Sequence, residues 1–204
     1  MTTPEPRLEA FAVDVHAVLR RSVASLYSHL VTRPTGRAVR LAIEHQIGEL
    51  ARPALSRVDL SSVAILDYSC ADEVVAKLLL RDPEGQSGVF FILTGVREHH
   101  LDPIEAVLER HRLAVVGELQ VGIFQLVGDG TDEERELWGE IQQRGRVTGS
   151  QVGTLVGGPV GRRVLDRLVR RRLLFRAPGS QDVHALSTLL GGTAPAEPGF
   201  QQES

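Results

Sequence analysis

Residues 58–80, VDLSSVAILDYSCADEVVAKLLL, set an apolar strand directly against an amphipathic helix. Val63, Ala64, Ile65 and Leu66 have strand character, and from Cys70 the apolar residues Val74, Val75, Leu78 and Leu79 fall on one helical face. Only Asp67-Tyr68-Ser69 separates the two patterns. A helix that follows its strand so closely must pack back on the sheet, which dictates a layered α/β architecture. The junction also puts a hydroxyl, Ser69, where a helix begins. Backbone N–H groups are unpaired there and the helix dipole is positive. Such a position suits a phosphate, a carboxylate or a partner's side chain.

The alternation continues on both sides. Val39, Ile43, Ile47 and Leu50 predict a helix that stops before Pro53. Residues 57–60 and 63–66 read as one strand kinked at Ser61-Ser62. Residues 88–94, GVFFILT, predict a buried strand, residues 101–111 a helix, and residues 113–116 and 121–127 two more strands. Nearer the start, Val15, Val18, Leu19, Val23, Leu26 and Leu30 suit an amphipathic helix, with a strand over residues 11–16 as the competing reading. Residues 1–10 are polar and Pro-containing, and residues 1–12 are expected to be disordered. Asp129-Gly130-Thr131-Asp132 reads as a boundary, so residues 13–128 form one α/β domain.

Beyond the boundary the rhythm changes. Residues 132–143, 147–156 and 160–171 predict three short helices, the second capped by Thr148 or Ser150 and the third opened by Gly157-Gly158-Pro159. Residues 173–176 and 183–189 predict a hairpin around Ala177-Pro178-Gly179-Ser180. Three helices and a hairpin over residues 132–190 make a winged helix-turn-helix. Residues 191–204 are rich in Gly, Pro and Glu and are expected to be disordered.

Composition narrows the function classes. The net charge of -3 gives no global pull toward nucleic acid or membrane. The one cysteine, Cys70, allows no internal disulfide, and no apolar run reaches membrane-spanning length. The N-terminus lacks signal-peptide features, so a cytoplasmic location and no membrane partner are expected. His99-His100, His111 and Cys70 lack the spacing of a zinc site, so no metal and no cofactor are expected. There is no Gly-x-Ser-x-Gly elbow and no Gly-rich phosphate loop, and the residues predict no enzyme.

The junction resembles the core signature of STAS domains, which include the anti-sigma-factor antagonists of bacteria. The match runs from Asp59-Leu60-Ser61 through Asp67 to Ser69. Ser69-Cys70-Ala71-Asp72-Glu73 is similar to the S-F-A-D-E run of a STAS-like family. Val31-Thr32-Arg33-Pro34-Thr35-Gly36, followed by Arg37 and Arg40, resembles that family's upstream V-S-R-x-x-G-x-x-x-R pattern. The resemblance spans residues 25–128. It implies a STAS-like mixed sheet with helices, and a phosphorylation or partner-binding site at Ser69 with Asp67, Asp72 and Glu73 around it. It also implies partner switching with a histidine-kinase-like ATPase. Two readings of Ser69 stand: the modified serine of a phosphoswitch, or a helix cap with Asp72 three residues on. Arg33, Thr35 and Arg37 at a helix start form a small anion site, an ion pair to Asp72 or Glu73, or a solvated turn.

Residues 132–190 resemble the helix-turn-helix of MarR-type regulators. Charge is segregated there: the third helix carries Arg162, Arg163, Arg167, Arg170, Arg171 and Arg172, while the first carries Glu133, Glu134, Glu136 and Glu140. The resemblance implies duplex DNA as partner. Ser150, Gln151, Arg162, Arg163, Arg167 and Arg171 are the expected contacts from the helices, with Arg176 reaching a phosphate from the wing. Paired half-sites imply a homodimer. The expected function is a non-enzymatic bacterial regulator that couples a STAS-like signal or partner-binding domain to DNA. The alternative is a partner-switching module whose winged helix docks protein.

Overall fold

A strand with both neighbours paired and both faces covered has to be apolar throughout. β-branched and aromatic residues with one leucine, Leu93, fill Val89–Thr94, and every one of its side chains is buried. The computed structural model describes the backbone of residues 9–14 and residues 29–48, 53–81 and 88–192. It is a mixed α/β structure built around that strand. The N-terminal elements are β1 (Glu9–Asp14), β2 (His29–Leu30), α1 (Arg33–Gly48), β3 (Ala54–Asp59), β4 (Ile65–Leu66), α2 (residues 68–80), β5 (Val89–Thr94), α3 (Glu98–Arg110), β6 (Ala114–Gln120) and β7 (Ile123–Gly128). The main sheet has the order β1-β3-β5-β6-β7. The first four are parallel and β7 closes the edge antiparallel to β6.

Helices α1, α2 and α3 cover one face. Val39, Ile43 and Ile47 of α1, Val74 and Leu78 of α2, and Ile104 and Leu108 of α3 pack on Val58, Phe91, Leu93 and Val115 of the strands. The periodicities expected for these helices are present. α2 has one irregularity, a π-helical turn over Asp72–Ala76.

The chain then runs through α4 (Asp132–Arg144), β8 (Arg146–Val147), α5 (Gly149–Val156), α6 (Pro159–Arg170), β9 (Leu174–Phe175), β10 (Val183–Ala185) and a 3-10 turn (Leu186–Gly192). A small antiparallel sheet has the order β8-β10-β9. This C-terminal unit covers the opposite face of the main sheet. Leu55, Phe90, Ile92, Val116 and Leu126 of the strands share one apolar core with Trp138, Ile141, Leu165, Leu168, Phe175 and Val183. Phe90 and Phe175 meet edge to face, with ring centroids 5.4 Å apart. Polar bonds fasten the seam. Arg135 of α4 donates to the Leu126 (2.7 Å) and Gly128 carbonyls, and Arg172 donates to the Val89 carbonyl at 3.1 Å. The expected boundary at residues 129–132 is therefore a turn between two parts that bury their apolar surface on each other.

Several boundaries differ from expectation. Residues 9–12, expected to be loose, lie in β1, which pairs in register with β3. Most of the helix expected between Val15 and Leu30 lies outside the described residues; Leu30 itself is extended in β2. The strand expected at residues 63–66 shortens to Ile65–Leu66 and leaves the main sheet to pair with β2. Val147 belongs to β8, not α5, because it pairs with Val183. The strand expected to run to Leu189 ends at Ala185 and becomes the 3-10 turn. Residues 193–204 lie outside the described residues. Among the described residues no helix is long and apolar enough to cross a membrane.

The shared core yields a direct expectation. A fragment ending at residue 130 uncovers Leu55, Phe90, Ile92, Val116 and Leu126 together, a patch of the kind that drives association. It is expected to bind 8-anilinonaphthalene-1-sulfonate strongly and to lose cooperative urea unfolding, both measured against the full chain. Cooperative unfolding with no dye binding would show that the first 130 residues fold without their cover.

Candidate functional site

The strand-to-helix junction is organised by Asp67. Its backbone is extended, and its side-chain Oδ1 accepts from the Cys70 N–H at 2.7 Å, so Asp67 is the N-cap of α2. Ser69 is the second helical residue. Its Oγ donates to Asp67 Oδ1 at 2.9 Å and Oδ2 at 3.1 Å. The reading of Ser69 as cap is thereby corrected: a cap must sit one residue before the helix, and Asp67 holds that place. Ser69 is half-buried, and around it Val31, Ile65 and Tyr68 are exposed at 45%, 46% and 53%. Tyr68 also donates its hydroxyl to Asp102 of α3, which pushes the phenol above its usual pKa.

The segment of residues 32–40 and the segment of residues 69–73 meet at this place. α1 lies against α2, and Gly36 makes their close approach possible. A Cβ on Gly36 would come within 2.9 Å of Cys70 Cα and 3.1 Å of Glu73 Cβ. Once the helices are that close, the arginines of α1 reach the acids of α2. Arg33 bonds Asp72 at 2.7 Å and Glu73 at 3.1 Å, and Arg40 bonds Glu73 at 3.2 Å and Glu44 at 2.6 Å. Lys77 joins Glu73 one turn along α2, and His111, just past α3, bonds Asp72 at 2.9 Å. Of the three readings of Arg33, the geometry is that of the ion pair. Thr32 rather than Thr35 stands before the first residue of α1; its Oγ1 accepts from the Thr35 N–H at 3.4 Å and lies 2.8 Å from Thr35 Oγ1. Arg37 points outward, with no hydrogen bond or ion pair to a described residue.

Glu73 is almost wholly buried, and a carboxylate so placed must be charged and paired or protonated. Burial pushes it upward, but Lys77, Arg33 and Arg40 outweigh that and hold it below the usual carboxylate range. Asp72 follows the same balance: burial raises it, and Arg33, His111 and Lys77 bring it below its ordinary value. Cys70, fully buried beneath, donates its thiol to the Thr32 carbonyl at 2.9 Å. Burial, and then Asp67, pushes that thiol up to about 11, against smaller opposing effects from the Gly36 and Thr32 backbone. His100 is buried with both ring nitrogens engaged: Nδ1 accepts from the Arg97 N–H at 3.2 Å, and Nε2 donates to the Val63 carbonyl at 2.9 Å. Burial and neighbouring His99 push its pKa down. Among the described residues no group of three His, Cys, Asp or Glu is placed to hold a metal ion.

The second set of expected contacts divides. Glu134 of α4 is buried, and Arg167 Nε (3.0 Å) and Arg171 Nη1 (2.7 Å) close on it from α6. Arg171 also donates to the Asp129 carbonyl. Arg176 turns to Asp166 at 3.2 Å. These three guanidinium groups hold the C-terminal unit together. Arg162 and Arg163 lie on the open part of α6, beside Val160, which is 66% exposed. Ser150 and Gln151 are exposed at the start of α5, where Gln151 Oε1 accepts from the Thr148 N–H at 3.1 Å.

Sequence reasoning missed Arg40 and Lys77 as members of the cluster. Signals for both existed. Arg40 lies seven residues after Arg33, on the same helical face, and Lys77 stands four after Glu73. Compared with known proteins, the chain matches no family model, no curated protein and no solved structure.

Two measurements check this geometry. Asp67→Ala removes the cap and is expected to cost about 1 kcal/mol in urea unfolding, with Ser69→Ala costing less. An equal or larger loss for Ser69→Ala would contradict the assignment. A thiol with a pKa near 11 is ionised to only about one part in a thousand at pH 8. Cys70 is therefore expected to react with 5,5′-dithiobis(2-nitrobenzoate) slowly in the folded protein and at once in urea. Rapid labelling of the folded chain would refute the burial.

Proposed function

We propose that the chain is a non-enzymatic bacterial regulator in which a STAS-like α/β half receives a partner at the Ser69 junction and a C-terminal winged helix binds duplex DNA. The observation that carries the reading is the outer face of the C-terminal unit. Its elements follow the order helix, strand, helix, helix, strand, strand, and the first turns of α6 present Pro159, Val160 and Arg163 to solvent, with Arg162 half-buried beside them. In a winged helix that third helix is the one that enters the major groove. Ser150 and Gln151 stand beside it at the start of α5, suited to a backbone phosphate. The contact set is narrower than the full row of arginines, because Arg167, Arg171 and Arg176 serve Glu134 and Asp166. A homodimer supplies the second half-site.

The input side rests on the junction. A partner meets a half-buried hydroxyl among exposed Val31, Ile65 and Tyr68. Phosphorylation of Ser69 would set an anion against the Asp67 carboxylate that now accepts its hydrogen bond. The modification would loosen the cap of α2 and expel a partner that reads the neutral surface.

One observation favours the second reading, a partner-switching module whose winged helix docks protein and whose partner is a histidine-kinase-like ATPase. The wing at Pro178-Gly179-Ser180-Gln181 carries no basic residue. A salt titration of binding to duplex DNA, followed by fluorescence anisotropy, separates the two. DNA binding is expected to weaken steeply with salt, and Arg162→Ala with Arg163→Ala to lower the slope of log K against log salt by about two. No affinity at low salt sinks the DNA reading and leaves protein docking.

A further inference from the structure

Helices α3 and α6 end in the same way. The segment Leu108-Glu109-Arg110-His111-Arg112-Leu113 and the segment Leu168-Val169-Arg170-Arg171-Arg172-Leu173 each stop a helix and turn into a strand. In both the closing Leu N–H returns to the carbonyl of the leucine five residues earlier, at 2.8 Å for Leu113 and 3.0 Å for Leu173. That bond forces the residue between into the left-handed region. Arg112 has φ 55° and Arg172 φ 59°, the two non-glycine residues with positive φ among those described. Glycine is the usual residue at this position, because a side chain there meets its own backbone. The helix dipole gives no reason to accept the strain, since Arg110 in one helix and Arg170 in the other already lie in the last turn.

Both strained residues line one cavity. It has a volume of about 240 Å³ and opens at the seam between the main sheet and the C-terminal unit. Leu79, Phe91 and Leu173 are among its apolar lining, and Arg112, Arg170, Arg171 and Arg172 line it as well. No carboxylate lines it among the described residues. Arg171 is occupied by Glu134, and Arg172 donates to the Val89 carbonyl. The guanidinium groups of Arg112 and Arg170 have no hydrogen bond or ion pair to a described residue. Strained backbone that persists against local preference clusters at ligand clamps. Here the strained turns at Arg112 and Arg172 both border the same apolar hollow, and Arg112 and Arg170, one from each half of the molecule, are the lining arginines left without a partner among the described residues.

We propose that this cavity binds a phosphate monoester with a compact apolar body. Arg112 and Arg170 grip the phosphate by the paired N–H geometry of guanidinium groups, and the apolar body rests on Leu79, Phe91 and Leu173. The walls come from α2, β5 and the α3–β6 turn on one side and from the end of α6 on the other. A bound ester therefore bridges the main sheet and the C-terminal unit. The site stands on this geometry whether or not α6 meets DNA, and it is read out without DNA.

Isothermal titration of the full chain at constant ionic strength tests it, with phenyl phosphate and inorganic phosphate as probes. Phenyl phosphate is expected to bind saturably, one per chain, and at least about tenfold more tightly than inorganic phosphate, because burial of the ring adds to the charge contact. Arg112→Gly removes a guanidinium and relieves the strained φ. It is expected to melt no lower than the parent chain and to lose about tenfold in affinity for phenyl phosphate. Arg170→Ala is expected to lose affinity likewise. Absence of saturable binding, equal affinity for the two probes, or an Arg112→Gly chain that keeps its affinity would each overturn the proposal.

Discussion

Burial of the second sheet face is the constraint from which the rest follows. A mostly parallel sheet needs a layer on each side, since its strands are apolar on both. Three helices supply one layer. The other comes from the C-terminal unit, whose Trp138, Leu165, Leu168 and Phe175 enter the same core as Leu55, Phe90 and Ile92 of the strands. The unit is a structural lid on the sheet as well as a surface facing outward. The open side of α6 is mechanically continuous with the strands beneath it.

Two buried carboxylates repeat one solution in the two halves. Glu73 is enclosed by Arg33, Arg40 and Lys77, and Glu134 by Arg167 and Arg171. A buried charge is tolerable only when paired and hydrogen-bonded, and removal of one partner leaves the other costly. Each carboxylate ties a helix to its neighbour: α2 to α1, and α4 to α6. Four of the conspicuous arginines of this chain, Arg33, Arg40, Arg167 and Arg171, are used in these ties. The exceptions on outer surfaces, Arg37, Arg162 and Arg163, stand out for that reason, as do Arg112 and Arg170 at the cavity.

Much of the fold was legible because its signals are local. The periodicities of α1, α2 and α3, the apolar run of β5 and the Gly-Gly-Pro start of α6 depend on neighbours within a few residues, and they appear where the spacing puts them. The strand at Ile65–Leu66 was misjudged because apolar residues read as strand whichever sheet they join. Only the pairing with His29–Leu30 decides that. At the site, Ser69, Asp72, Glu73 and Arg33 were all visible as polar residues at or near helix starts. Their roles were not. Ser69 and Asp67 are both good capping residues, and the choice between them turned on where the first helical turn closes.

The chain by itself determined its elements and their polarity: alternating strands and helices up to residue 128, then three helices and short strands, with basic residues gathered on the last helix. It determined this because propensity, capping and periodicity act over a few residues. Tertiary structure decided which charges are spent and which remain free. Arg171 and Arg163 are alike as sequence, yet one faces Glu134 across a helix pair and the other faces water. Charge pairing between helices acts across more than thirty positions of chain, through packing that no local pattern encodes.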